Sequence, residues 1–332
     1  MVKRYQSGLI SANNSPTNIS QTSGFFNISQ QMQAKQEGLW PQANNKIDSS
    51  SGTIFTSTRQ VVSGQVIQYK YHAFLSSSTF VTTGNGVVDI LVVGAGGGGG
   101  SGSTGSSGGD GGAGGGVVVI SNQSIASNTY TITVGGGGAG GGPASVGAGS
   151  AANGSNGTFS SVSGIVGANS AGGLFGRGGG NGAAYRAGNG AGGTWTGTAS
   201  STAGLTPGIG LGVDFFNLVD LSGNTLVRNF RYDTANGLIY FASGGTSTWA
   251  STTSSGGSPG SARGNAALGG GAGWVVTQTF GDTGLNATND VRLLRQAAPN
   301  MGGGGASGFR ASSSADAGYA GGSGLVVIRY RI

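Results

Sequence analysis

The side chains able to do acid–base, nucleophilic or metal chemistry are few in this chain. Its 332 residues include one histidine, His72, and no cysteine. A zinc site or a Ser-His-Asp triad needs imidazole or thiolate groups that converge on one point. His72 therefore reads as a half-buried histidine of a β-strand, and no metal, cofactor or catalytic residue is assigned. Glycan cleavage would need two carboxylates roughly 5–9 Å apart. The acids in the second half of the chain are sparse: Asp214, Asp220, Asp233, Asp282, Asp290 and Asp316. Asp220 and Asp233 could face each other across a meander, but ion pairs with Arg228 or Arg231 account for them more simply. The phrase VVDILVVGAGGGGG at 87–100 imitates the start of a dinucleotide-binding loop. The amphipathic helix that such a loop requires does not follow. The chain is read as not an enzyme.

Binding chemistry is better represented. Aromatic rings stack on sugars, and arginine forks hold phosphate or carboxylate. Phe215, Phe216, Phe230, Tyr232, Tyr240, Trp249 and Trp274, with Arg228 and Arg231, form the candidate set for binding a receptor. They sit on two islands of ordinary composition, about 213–250 and 273–294, within a glycine-rich stretch. The alternative role for part of this set is the small core beneath local hairpins.

These islands must be held by strands and glycine segments. VVSGQVIQYKYHAFL, SSSTFVTTG, VVDILVVGAG, GGGVVVISN, SNTYTITVGGGG and the closing SGLVVIRYRI are β-branched and aromatic runs bounded by Gly, Ser and Asn. Such runs predict strands. DTANGLIYF predicts a turn leading into a strand. Between the strands lie glycine-dominated tracts, and the chain holds 74 glycines. That is about three times the usual ~7%. The clumped glycines and 6 prolines exclude collagen, which needs glycine at every third position and abundant proline. Flexible linker is one fate for such tracts. Five linkers within one strand-bounded body are hard to justify, because structureless loops above ~15 residues are uncommon. The expectation is packed polyglycine-II helices, whose buried peptide groups bond to neighbouring segments. The fold class is mainly β: a small sheet or sandwich framework carrying these helices.

Charged residues make up only 8% of the chain, with a net charge of +6. The arginines are scattered and not gathered into a stripe, so no nucleic-acid partner is expected. No segment approaches the ~18 apolar residues of a transmembrane helix. No apolar signal region follows Lys3 and Arg4.

The first 65 residues read as an attachment arm, and 66–332 as the glycine-rich body. Within SGFFNISQQMQAKQEGLWP, Ser23 is a helix cap, 26–37 a short helix and Gly38 its stop. A helix of ~12 residues is marginal alone. Phe25, Phe26, Met32, Leu39 and Trp40 are the residues expected to seat it on a host surface.

Five phrases carry a resemblance: HAFLSSSTFV (72–81), VVDILVVGAGGGGG (87–100), GGAGGGVVVI (111–120), YTITVGGGGAGG (130–141) and GGSGLVVIRY (321–330). In this order they resemble the glycine-rich domain of bacteriophage tail-fibre and adhesin proteins. The leader carrying Ser23, Gly24, Gln31, Ala34, Gly38, Trp40 and Pro41 resembles one that precedes many phage virion proteins. The resemblance implies a virion protein, a tail fibre or adhesin, with receptor-binding loops at one end of a polyglycine-II sandwich. It implies virion partners for the arm and a bacterial surface glycan or outer-membrane receptor for the loops. A homo-oligomer, with a trimer favoured, is expected from the gain in avidity. The competing reading is a structural virion protein, a capsid decoration or tail component, without receptor contact.

Overall fold

The computed structural model describes residues 47, 49–62, 65–102, 109–143, 151–171, 211–213, 215, 232–233, 238–242, 244–245, 297, 299–308 and 317–332. Twelve strands are assigned: β1 (Thr53–Val62), β2 (Gln65–Phe74), β3 (Ser78–Thr82), β4 (Gly86–Val93), β5 (Val117–Ile125), β6 (Asn128–Thr133), β7 (Ser160–Val162), β8 (Asn169–Ser170), β9 (Leu211–Val213), β10 (Tyr232–Asp233), β11 (Leu238–Phe241) and β12 (Leu325–Arg331). They form three sheets, ordered β1-β2-β12-β4-β5, β3-β6-β7-β8 and β10-β11-β9. Every pairing is antiparallel. The closing strand β12 inserts between β2 and β4, so the two ends of the glycine-rich body meet in the middle of the largest sheet.

Side-chain alternation explains why the five-stranded sheet is covered on both faces. Ile67, Tyr69, Tyr71 and Ala73 of β2 join Leu91, Val93, Leu325 and Val327 in one buried cluster, with Phe215, Ile239 and Phe241 from the side of the three-stranded sheet. Phe74, Ile90, Val92, Val326, Ile328 and Tyr330 point the other way. They pack against Phe80, Tyr130, Ile132 and Val162 of the four-stranded sheet. The five-stranded and four-stranded sheets thus make the expected sandwich. β4 and β12 sit at its centre, which is why their sequences are almost continuously apolar and not alternating.

β1 falls within the 1–65 stretch read as an arm. It pairs with β2 from Thr53↔Ala73 to Val62↔Gln65, so this part of the stretch belongs to the sheet. The helix expected at 26–37, and the seating residues Phe25, Phe26, Met32, Leu39 and Trp40, lie outside the described residues.

Beyond the sheets, the glycine segments pack together. Residues 94–101 run through the middle, and their N–H groups serve three partners in rotation. Gly94, Gly97 and Gly100 donate to the carbonyls of Gly116, Ala113 and Asp110; Ala95, Gly98 and Ser101 to those of Thr158, Ser155 and Ala152; and Gly96 and Gly99 to those of Gly322 and Tyr319, at 2.9–3.1 Å. Each acceptor series falls by three as the donors rise by three. Three antiparallel segments are therefore each met once every three residues. Two parallel segments donate inward: Gly138 and Gly141 to Gly96 and Gly99, and Gly305 and Gly308 to Gly97 and Gly100. Neither regular alternative produces this pattern. An α-helix bonds within itself at i−4, and a strand alternates between two sides.

The close packing requires missing side chains. A Cβ added to Gly96, Gly98 or Gly99 would collide with the backbone carbonyl of Gly303, Ala139 or Ala306, respectively. Every residue from 94 to 102 is buried. In place of an apolar core, this part of the molecule buries peptide groups that bond to one another, which removes the cost of desolvating them.

Candidate functional site

The hydrogen-bond register places the ends of the glycine segments. Gly100 bonds Asp110, Ser101 bonds Ala152, Gly308 bonds Gly100 and Gly318 bonds Gly141. These residues therefore lie at one level, on the far side of the packed segments from the sheets. Here the chain leaves the described body after 102, 143 and 308 and re-enters it at 109, 151 and 317. The three connections start and finish at the same end, and they carry STGSSG, ASVGAGS and FRASSSAD.

At the opposite end of the five-stranded sheet a clamp forms around Arg329. Asp89 and Arg329 are direct cross-strand partners. A register shift between Val88 and Ile90 marks an irregularity at Asp89. Its Oδ1 accepts from the Asn122 N–H at 2.9 Å and its Oδ2 from Arg329 Nε at 2.9 Å. Asn122 has a φ of 57°, a region open to asparagine more than to most residues. The guanidinium lies 4.3 Å from the Phe215 ring centroid and 4.8 Å from that of Tyr69. Its Nη1 also donates to the Phe215 carbonyl. Burial alone would lower the Arg329 pKa; Tyr71, Asp89 and Tyr69 outweigh it, and the net direction is upward. The group remains a cation. The cleft beside it has about 20 Å³ of water-accessible space, room for a water but not for a sugar.

Phe215, one of the candidates for receptor binding, is 1% exposed. It packs edge-on to Tyr71, with ring centroids 6.4 Å apart, and anchors its segment to the sheet. Its ring is thus a core element and is not presented to a partner. Tyr232 and Tyr240 lie on β10 and β11 of the three-stranded sheet, where Tyr232 pairs with Ile239 and Tyr240 with Gly212. Phe216, Arg228, Phe230, Arg231, Trp249 and Trp274 lie outside the described residues. The strand read from DTANGLIYF is present as Leu238–Phe241 and pairs with Tyr232–Asp233, whereas the residues read as the turn, 234–237, lie outside the described residues.

His72 is on β2 as expected, but its burial is complete at 0% exposure. Its Nδ1 lies 2.7 Å from the Ser51 carbonyl oxygen, which can only accept, so this nitrogen carries the proton. Nε2 then accepts from the Tyr330 hydroxyl at 3.2 Å. The ring stacks on Tyr330 and meets Phe80 edge-on. These contacts make it a packing residue that ties β2 to β12 and to the segment before β1. Among the described residues no three acidic, histidine or cysteine side chains cluster in a way that could hold a metal ion. Among them, too, no helix is long and apolar enough to cross a membrane.

Sequence reasoning passed over the clamp and Asn300. Asn300 has a φ of 61° and donates from Nδ2 to the carbonyls of Leu75 and Gly324, at 3.0 and 2.9 Å. A signal for the clamp was available: Asp89 interrupts the apolar run VVDILVV, and Arg329 interrupts VVIRY. An acid and a base at the centres of two apolar strands suggest a pair that must meet. Asn300 carried no comparable signal.

The sequence matches the family described as glycine-rich domain over residues 75–331. Comparison with curated proteins gives no match.

Proposed function

Starting from a chain that belongs to the glycine-rich domain family over most of its length, we propose that it is a phage virion protein, a tail fibre or adhesin. Its glycine segments are polyglycine-II helices, and they act as a rigid shaft between the β framework and a receptor-binding end. The observation that carries this reading is the convergence of three connections at one end of the packed segments, implied by the bonds at Gly100, Ser101, Gly308 and Gly318. The shaft contributes little side-chain chemistry of its own, so recognition falls to these connections and to the exposed part of the aromatic islands. The 1–46 portion of the arm docks on other virion proteins. The ligand is a bacterial surface glycan or an outer-membrane receptor, and homo-trimeric assembly multiplies a weak single-site affinity.

The second reading is a structural virion component without receptor contact. The burial of Phe215 favours it, because one ring of the candidate set belongs to the core. Binding of the purified protein to a panel of intact Gram-negative and Gram-positive cells separates the two. Replacing 309–316 with Ser/Gly of equal length, or making Arg228→Ala with Arg231→Ala, leaves Phe215 in place. The adhesin reading predicts that these changes abolish cell binding with an unchanged melting temperature. A protein that binds no cell, or whose binding survives both changes, supports the structural reading instead.

A further inference from the structure

The four-stranded sheet has one face in the sandwich and the other in solvent. Alternation along its strands sorts the side chains between the two. Phe80, Tyr130, Ile132 and Val162 turn inward and are buried. Thr79, Thr129, Thr131, Thr133, Ser161 and Phe159 belong to the outward row, and all are exposed or half-buried. Thr79 stands opposite Thr131, and Thr133 opposite Ser161. Hydroxyls therefore recur about 5 Å apart across the strands and about 7 Å apart along them.

Phe159 brings an aromatic ring to this face and is 52% exposed. Its flanks carry small residues. The β7–β8 register, Ser160↔Ser170, puts Ala171 on one side. On the other are Gly135, whose added Cβ would lie 2.9 Å from the Phe159 carbonyl oxygen, and Gly136, whose added Cβ would meet nothing within 4 Å.

The strands of this face are also without charge. The sequence holds no Asp, Glu, Lys, Arg or His between Asp110 and Arg177, and none between His72 and Asp89. β3, β6, β7 and β8 all come from these two stretches. Arg329 pairs with Asp89 on the far side of the five-stranded sheet. The face thus offers an anionic polymer no counter-charge of its own.

We propose that this face binds a neutral polysaccharide. Phe159 stacks on the C–H face of one sugar ring, and the threonine and serine hydroxyls bond to the sugars beside it. A hydroxyl both donates and accepts, so protein and sugar hydroxyls can satisfy each other in either sense. The exposed ring supplies the apolar surface that the C–H face of a sugar matches. The size of the face points to the same occupant. Three inter-strand spacings by about five residues give about 250 Å², whereas a stable protein interface buries about 800 Å² per partner. A second copy of the chain needs a larger surface, and a short run of sugar units does not. This site is separate from the three connections beyond the glycine segments, and it binds whether or not the chain serves a virion.

Chromatography of the purified chain on immobilised dextran, mannan and laminarin tests the proposal. At least one of the three neutral polymers should retain it, and retention should survive about 1 M NaCl, because no ion pair is involved. Phe159→Ala should weaken binding at least ~10-fold, and Phe159→Tyr should preserve it. Thr131→Ala with Ser161→Ala should also weaken it. All of these side chains are exposed or half-buried, so melting temperatures should not change. Replacing 309–316 with Ser/Gly should leave retention intact, which separates this site from the connections. Retention by none of the three polymers, loss of retention in high salt, or equal retention of Phe159→Ala overturns the proposal. So does a fall in sedimentation coefficient on Phe159→Ala, which would give the face to a second copy of the chain.

Discussion

Gly96→Ala and Gly136→Ala add the same methyl group to the same kind of glycine tract, and the structure predicts opposite outcomes. A Cβ on Gly96 would lie 1.9 Å from the Gly303 oxygen and 2.8 Å from the Gly304 nitrogen, both backbone atoms. Ordinary contact begins near 3.4 Å, so the 302–308 segment must retreat by about 1.5 Å. That displacement breaks the bond from Gly305 to Gly97 and strains those from Gly96 to Gly322 and from Gly138 to Gly96. Each buried peptide group left without a partner costs about 1–3 kcal/mol, so a loss of roughly 3–5 kcal/mol is expected. In a chain of this size that lowers the melting temperature by roughly 4–7 °C. A Cβ on Gly136 meets nothing within 4 Å. Alanine there restricts the unfolded chain and should stabilise by about 0.4–1 kcal/mol. Thermal melts followed by circular dichroism, with urea titrations for the free energies, give both numbers. Equal effects of the two substitutions would refute the reasoning, because a flexible tract cannot tell one glycine from the other.

Two further predictions concern side chains. Asp89→Asn leaves the buried Arg329 cation without its carboxylate and should cost about 3 kcal/mol in urea unfolding; Asp89→Asn combined with Arg329→Met should recover part of that loss. Asn300→Ala removes two side-chain hydrogen bonds at a positive φ and should cost about 2 kcal/mol, whereas Asn300→Gly keeps the backbone conformation and should cost less.

Much of the framework was legible because strands announce themselves locally. The apolar runs of β4 and β12 mark central strands, and the alternation in QVIQYKYHAF marks a strand that faces two different layers. β1 was harder to see. TIFTSTRQVV is polar and reads as an extended arm, and only its partner β2 makes it a sheet strand. The glycine tracts suggested packing by elimination, but their order around 94–101 was not readable, since it depends on pairings between segments far apart in the sequence, such as Gly96 with Gly322. The aromatic islands were the least legible. Phe215 looked like a binding ring because its sequence neighbours are aromatic, but Arg329 and Tyr71, remote in sequence, draw it into the core. A ring suited to a sugar is equally suited to a guanidinium.

The central claim is that successive residues of 94–101 bond to three different segments in rotation. Through-hydrogen-bond scalar couplings between amide nitrogens and carbonyl carbons, measured on deuterated and isotope-labelled protein, test it bond by bond. The account predicts that Gly96, Gly97 and Gly98 couple to the carbonyls of Gly322, Ala113 and Ser155, respectively. Couplings from these three amides to one shared segment, or no couplings together with free solvent exchange, would contradict it.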